Sequence, residues 1–430
     1  MHSIARLASA VLATVTTSSW DVALAPNARA TEPVIADPFA GHARLTPDIA
    51  ATAVLGANAR IAALRELIAS RGARVGGADA NEDPTLSFGL APASFAGEQI
   101  GATLGLRWSL PWPGTIDRRV DAARAELIVE ESELPMLRRE LAAEARALVV
   151  TMAWVVAARE AIERRAGRLA ELEVAARARV AAGDGLAMVA AARFDRAELG
   201  LARLELDRAE RSARQVLNAL AHRRPDATLP PVEAIAAPPE MPPVLDVLLA
   251  EALAKRPELA RVDAEIAALE ADARRVAADD RPMLGLGASV STMQHDPLMW
   301  AEIEVMIALP LSNAGRDARR DEARARIAAA RAERHVVEDA IAREVAEARL
   351  GLETALAALA LVSTEIVPAA ERRFEVTVAG IGGGAVRLSE AIDALGALAM
   401  IEQRRVELMR DAWLAAVALE AAVGRVGGAP

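Results

Sequence analysis

Hydrophobic positions along this chain follow two periods, and the switch between them separates four short strands from very long helices. Over Ile100 to Leu110 the even positions Ile100, Ala102, Leu104, Leu106, Trp108 and Leu110 are apolar, while Gly101, Thr103, Gly105, Arg107 and Ser109 are small or polar. Alternation of this kind puts one residue set on each face of a strand. Leu284, Leu286, Ala288 and Val290 alternate with Gly285, Gly287, Ser289 and Ser291; Ala301, Ile303, Val305, Ile307 and Leu309 alternate with Glu302, Glu304, Met306 and Ala308. Leu86, Phe88 and Leu90 continue the pattern more weakly after Pro84. Strands are therefore expected near 84–91, 100–110, 283–292 and 300–310. Helical text follows each strand pair: 115–182 with a return over 186–223, and 316–378 with a return over 386–424. At ~1.5 Å per residue the outgoing helices are on the order of 100 Å long. Pro135 and Pro368 mark expected kinks or breaks in them. Gly183-Asp184-Gly185 and Gly380 to Gly384 supply the backbone freedom the two helix ends need.

The same order of landmarks occurs twice. Asn58 to Gly89 has a counterpart in Arg256 to Gly287, displaced by 198 positions, and Leu217-Asn218-Ala219-Leu220 answers Leu419 to Ala422, displaced by 202. Leu110-Pro111 recurs as Leu309-Pro310. The chain is expected to hold two copies of one unit, 31–223 and 244–430, joined by a proline-rich extended linker at 224–243. The fold class is mainly α with a small β part, each unit being a β-hairpin plus a long α-hairpin.

Apolar residues make up 53% of the 430, yet aromatics only 3%, and there is neither Tyr nor Cys. Small residues favour closely packed helices. Without Cys there is no disulfide framework, thiolate metal site or lipid-modified cysteine. A net charge of −10 argues against nucleic acid as a partner. Arg6, the apolar stretch Leu7 to Val15 and Ala28-Arg29-Ala30 give residues 1–30 the form of a secretory signal, although a ragged N-terminal start fits the same text, and Ala23-Leu24-Ala25 is a second cleavage option. No run of about 18 uninterrupted apolar residues follows, so no transmembrane helix is expected. Two readings of the strands are open: a half-buried sheet in a soluble protein, or barrel strands with lipid on one side and water on the other. The second suits isolated hairpins better, because a hairpin alone is marginal in water and open edges are excluded from lipid. Four strands cannot close a barrel, so sister subunits must supply the others. Trp108, Trp112 and Trp300 are the few candidate interfacial anchors.

In its order of elements the chain resembles the outer-membrane efflux protein family, the TolC-like export ducts. The resemblance is carried by Arg256-Pro257-Glu258-Leu259 opening a helix, Pro282 before a strand, Leu309-Pro310 with Gly315-Arg316, Ala379-Gly380 with Leu388 to Ala394, and the closing Leu419 to Gly424. It implies a homotrimer with a 12-stranded barrel in outer-membrane lipid and an α-helical barrel through the periplasm. It also implies docking to a periplasmic adaptor and an inner-membrane pump, in efflux systems of the resistance-nodulation-division type. Pro111-Trp112-Pro113-Gly114 and the Met293 to Trp300 string resemble the heavy-metal efflux branch. Type I protein secretion could use the same duct. A periplasmic coiled-coil adaptor or scaffold is the reading from a different class, and alternating strands speak against it.

No catalytic grouping and no cofactor motif is present in the sequence, so the chain is not expected to be an enzyme. Glu390 and Asp393, three apart on one helix face, match positions where the family rings its periplasmic entrance with acids. A solvated acidic helix face accounts for the same spacing. Arg107, Glu302 and Glu304 line the lumen if the strand facing holds; a slip of one residue reverses it. Met293, His295 and Met299 are soft metal-ligand candidates in an expected inter-strand loop. By resemblance the tips, with Gly183, Asp184, Gly185, Gly380, Gly382 and Gly383, are the adaptor contacts.

Overall fold

A computed structural model describes residues 37–92, 100–180, 186–235, 237–293, 296–309, 314–382 and 387–425. The first half runs α1 (Pro47–Ala57), α2 (Ala59–Gly77), β1 (Thr85–Pro92), β2 (Ile100–Leu110), α3 (Thr115–Val180) and α4 (Leu186–Leu220). The second runs α5 (Leu245–Lys255), α6 (Pro257–Asp279), β3 (Met283–Met293), β4 (Asp296–Ala308), α7 (Ala314–Leu361), a π turn (Val362–Ile366), α8 (Val367–Gly382) and α9 (Leu388–Val423). Two helices, two strands and a long helical hairpin thus occur twice in the same order. Among the described residues the 224–243 segment carries no helix or strand. It is tied down by Leu45 N donating to Pro231 O and Trp413 Nε1 donating to Ala237 O, each at 2.9 Å.

Equivalent positions in the two halves do equivalent work. Asn58 breaks α1 from α2 with an extended backbone, accepts from Arg60 N and Ile61 N, and donates from Nδ2 to Leu220 O at 2.8 Å. Arg256 breaks α5 from α6 in the same conformation and donates from Nη1 to Ala422 O, also at 2.8 Å. Each returning helix is closed alike: Arg223 N reaches Asn218 O and Arg425 N reaches Glu420 O, both at 2.8 Å. The residue between adopts a left-handed backbone, His222 at φ 53° and Gly424 at φ 88°.

At ~1.5 Å per residue, the 66 residues of α3 span about 100 Å. Pro135 lies inside it without interrupting the helix. Pro368 behaves differently. It lacks the N–H that would reach Thr364 O, and its ring crowds that carbonyl. The helix widens there into the π turn, with Val367 N bonding to Val362 O. Two apolar clusters anchor the halves. One gathers Val54, Ile61, Leu141, Val149 and Leu217; the other gathers Leu248, Leu259, Ile341, Val345 and Leu419. Buried and half-buried arginines stitch them together. Arg139 bonds Glu258 and Ala421 O, Arg256 bonds Glu344, and Arg146, 4% exposed, bridges Asp48 and Glu420.

The α3 helix and the α7–α8 run each contain an 18-residue stretch apolar enough to cross a membrane with no more than two charges. Those charges are why no uninterrupted run stands out in the sequence. The α3 stretch is mostly packed inside; in α7–α8 only 22% of it is buried, leaving an apolar stripe outward.

All four strands form one antiparallel sheet in the order β1-β2-β3-β4. β4 starts at Asp296, earlier than its alternation indicates, and the register shifts between Thr292 and Met293. Met293 and Met299 are consequently strand residues, not loop residues as the sequence reading had them. Trp300 pairs with Ser291 and alternates with Glu302 and Glu304, so it lies on the polar face and is not an anchor on the apolar one.

Candidate functional site

The sheet has two chemically distinct faces. On one, Leu86, Phe88, Leu104, Leu106, Val305 and Ile307 are all exposed, and Ile303 reaches 84%. So continuous an apolar surface is far more than a water-facing sheet ordinarily leaves open. The other face is built of Gly, Ser and Thr with few larger groups. Ser87 Oγ donates to Gly105 O at 3.2 Å, and the Thr103 and Ser291 hydroxyls meet at 3.0 Å.

Arg107, Glu302 and Glu304 share this polar face. Register aligns Thr85, Arg107, Gly287 and Glu304 in one row across the strands. Arg107 Nη2 and Glu304 Oε2 approach to 3.5 Å over Gly287. The missing side chain makes that possible: a Cβ on Gly287 would sit 3.3 Å from both Cβ and Oε2 of Glu304. In the neighbouring row Glu302 is opposite Ser289 and has no ion-pair partner among the described residues. β1 and β4 each have a neighbour on one side only.

At the far end of the helices, Glu390 and Asp393 are exposed in the opening turns of α9. Asp393 is not isolated. It lies within electrostatic reach of Asp195 on α4, which burial pushes above the ordinary carboxylate range; Arg165 opposes that shift, and Glu198 and Asp393 add to it. Arg165 contacts Glu198 at 3.5 Å and Asp195 at 4.0 Å. Nearby, Arg168 donates to buried Glu402 at 3.0 Å and sits 6.0 Å over the Phe374 ring, holding α3, α8 and α9 together. A cavity of about 420 Å³ opens between α3, α4 and α9, where Arg410 stacks 4.7 Å over Trp154.

Gly380 and Gly382 fall in the last turn of α8. Gly183, Asp184, Gly185, Gly383 and His295 lie outside the described residues, as does the 1–30 segment. Among the described residues no three His, Asp or Glu groups assemble into a metal-ligating cluster. Asp195 and Glu198 escaped the sequence reading because nothing local in Asp195-Arg196-Ala197-Glu198 distinguishes them from other helical charges. In the sequence Arg256 and Glu258 mark only a helix opening, and Arg139 and Arg146 carry no local signal.

Residues 248–425 match the sequence family described as outer membrane efflux protein. No curated protein matches the chain in sequence. Among solved structures, that of CusC, described in terms of transmembrane channel formation, covers 90% of this chain and 97% of its own at 16% identity, with a TM-score of 0.72. The outer membrane protein VceC from Vibrio cholerae is 18% identical over 88% of this chain and 96% of its own, TM-score 0.67. The open-state MtrE outer membrane channel of Neisseria gonorrhoeae is 17% identical over 88% of each chain, TM-score 0.69. At such identities the likeness establishes a common fold. Together with the family match it supports the outer membrane efflux family.

Proposed function

We propose that this chain is one subunit of a homotrimeric outer-membrane duct, a passive conduit for efflux driven by a partner pump. One observation carries the reading: a four-stranded sheet with an exposed apolar face, a polar face and two open edges, joined to helices about 100 Å long. An open edge is not tolerated in lipid. Three sheets of four strands, joined β4 to β1 in a ring, form a closed 12-stranded barrel with lipid outside and Arg107, Glu302 and Glu304 inside. The helices continue the lumen through the periplasm. Glu390 and Asp393 then ring the entrance, and the tips around Gly183, Asp184, Gly185, Gly380, Gly382 and Gly383 meet the adaptor, with the inner-membrane pump beyond. Residues 1–30 serve as the export signal and are removed. The two halves are copies of one unit, 31–223 and 244–430. Metal cations are the cargo class favoured by the acidic entrance and by the strings at Pro111–Gly114 and Met293–Trp300.

Expression of the full chain in a Gram-negative host tests this directly. Heat-modifiable trimers in the sarkosyl-insoluble outer-membrane fraction are expected. Recovery as a soluble periplasmic monomer would overturn the duct.

A further inference from the structure

We propose that the barrel carries its own ion filter, separate from the entrance, and that Glu302 sets its sign. The inference rests on the duct reading, since it takes the polar sheet face as the lumen wall.

Apart from Asp296 at the first position of β4, the charged residues of the four strands are Arg107, Glu302 and Glu304. All three project from the face otherwise made mainly of Gly, Ser and Thr. Their charges do not act equally. Arg107 and Glu304 pair over Gly287 at 3.5 Å, so at a distance they present a dipole and little net charge. Glu302, two residues along the strand and ~7 Å away, faces Ser289 with no cation opposite. Among these three residues, one surplus carboxylate per sheet remains.

Threefold repetition sets these carboxylates at one level of the barrel, and a ring of carboxylates favours cations. Small neighbours reinforce the effect, because the residues in its own row, Ser289, Gly105 and Ser87, leave Glu302 uncovered across the sheet. The paired row lies within one Debye length at physiological salt, about 8 Å, so removing either member of the pair changes the field at Glu302. A filter in a wide lumen is weak. A roughly two- to fivefold preference for K⁺ over Cl⁻ is expected at about 0.01 M salt, where the Debye length is about 30 Å, fading at 1 M where it is about 3 Å.

The measurement is the reversal potential of full-length trimers in planar bilayers under a KCl gradient. It is made in the native chain and again with Glu390→Ala and Asp393→Ala removing the acids of the entrance. In both backgrounds Arg107→Gln should strengthen cation preference. Glu302→Gln or Glu304→Gln should lower it in both, to near unity where the entrance acids are gone, and there the Glu302→Gln/Glu304→Gln double variant should reverse it toward anions. If channels open but these four variants leave the reversal potential where it was, the barrel filter is wrong while the duct stands. If no channel opens in any of them, native chain included, the duct reading itself fails and takes the filter with it.

Discussion

His222 and Gly424 perform the same backbone turn at unequal cost. A left-handed conformation is strained for any residue with a Cβ by about 1–2 kcal/mol and costs glycine almost nothing. At Gly424 the space is also taken: a Cβ would lie 3.3 Å from the carbonyl carbon and oxygen of Lys255, where α9 meets the α5–α6 break. Gly424→Ala should therefore destabilise the protein by about 1–2 kcal/mol. His222→Gly should stabilise it by somewhat less, since glycine gives back part of the gain as chain entropy. Urea unfolding in detergent, followed by helical circular dichroism, checks both directions, and equal midpoints for the two variants would contradict the strain account. Gly424 is legible in the sequence as a helix end. His222 is not, because a histidine at positive φ leaves no compositional trace. Nor can the Arg256–Ala422 hydrogen bond be read from Arg256-Pro257-Glu258, which announces only where a helix begins.

Elements show why some of the architecture was legible and some not. Strand alternation is visible because each strand has one apolar face, and helix length is visible because nothing but Pro135 and Pro368 disturbs the text. Sequence does not distinguish those prolines. Both follow residues packed in apolar clusters, Leu134 before Pro135 and Val362 and Val367 before Pro368, yet the first helix stays continuous and the second opens into a π turn. Trp300 shares the parity of Glu302 and Glu304, so the alternation itself places it on the polar face, whereas the start of β4 is hidden by the register shift at Thr292/Met293. At the tips, Leu199 of α4 packs with Ala391 and Leu395 of α9, and the Asp195 and Asp393 carboxylates repel beside that contact. The raised affinity of Asp195 for its proton, due first to burial and then to Glu198 and Asp393, has a definite sign. Its contribution to holding the tip together is complete below the ordinary carboxylate value of 3.8 and is lost as pH rises through the higher folded value. At neutral pH the buried Asp195 carboxylate therefore works against the packing around it, with Asp393 of α9 adding a small repulsion. Asp195→Asn should slow hydrogen exchange in the first turns of α4 and α9 at pH 7, and the difference from the native chain should vanish under acid. Equal exchange at pH 7 would mean the carboxylates are fully screened.

For the whole molecule, the open sheet edges have a counterpart in the helices. On α4, Phe194, Leu201 and Leu204 are each more than half exposed on a helix whose other face packs against α3. On α7–α8, Leu350, Leu361 and Val376 are similarly open, the last at 72%. A single chain thus displays two different apolar helix faces and two different strand edges. Joined head to tail, unlike patches must close into a ring or grow without limit. In the duct proposed above, barrel closure in lipid selects the ring. In that arrangement the helical seam pairs the α4 stripe of one subunit with the α7–α8 stripe of the next, and burying each leucine is worth about 1.5–3 kcal/mol per interface. Leu201→Arg together with Leu204→Glu forfeits that burial and places charges in the seam, while the sheet and the arginines at 139, 146 and 256 are untouched. Trimers carrying the pair should dissociate at lower temperature on mild-detergent gels, with monomers that keep native helix content. Trimers as heat-resistant as those of the native chain would place the seam on other helices and leave the α4 stripe for a different protein to cover.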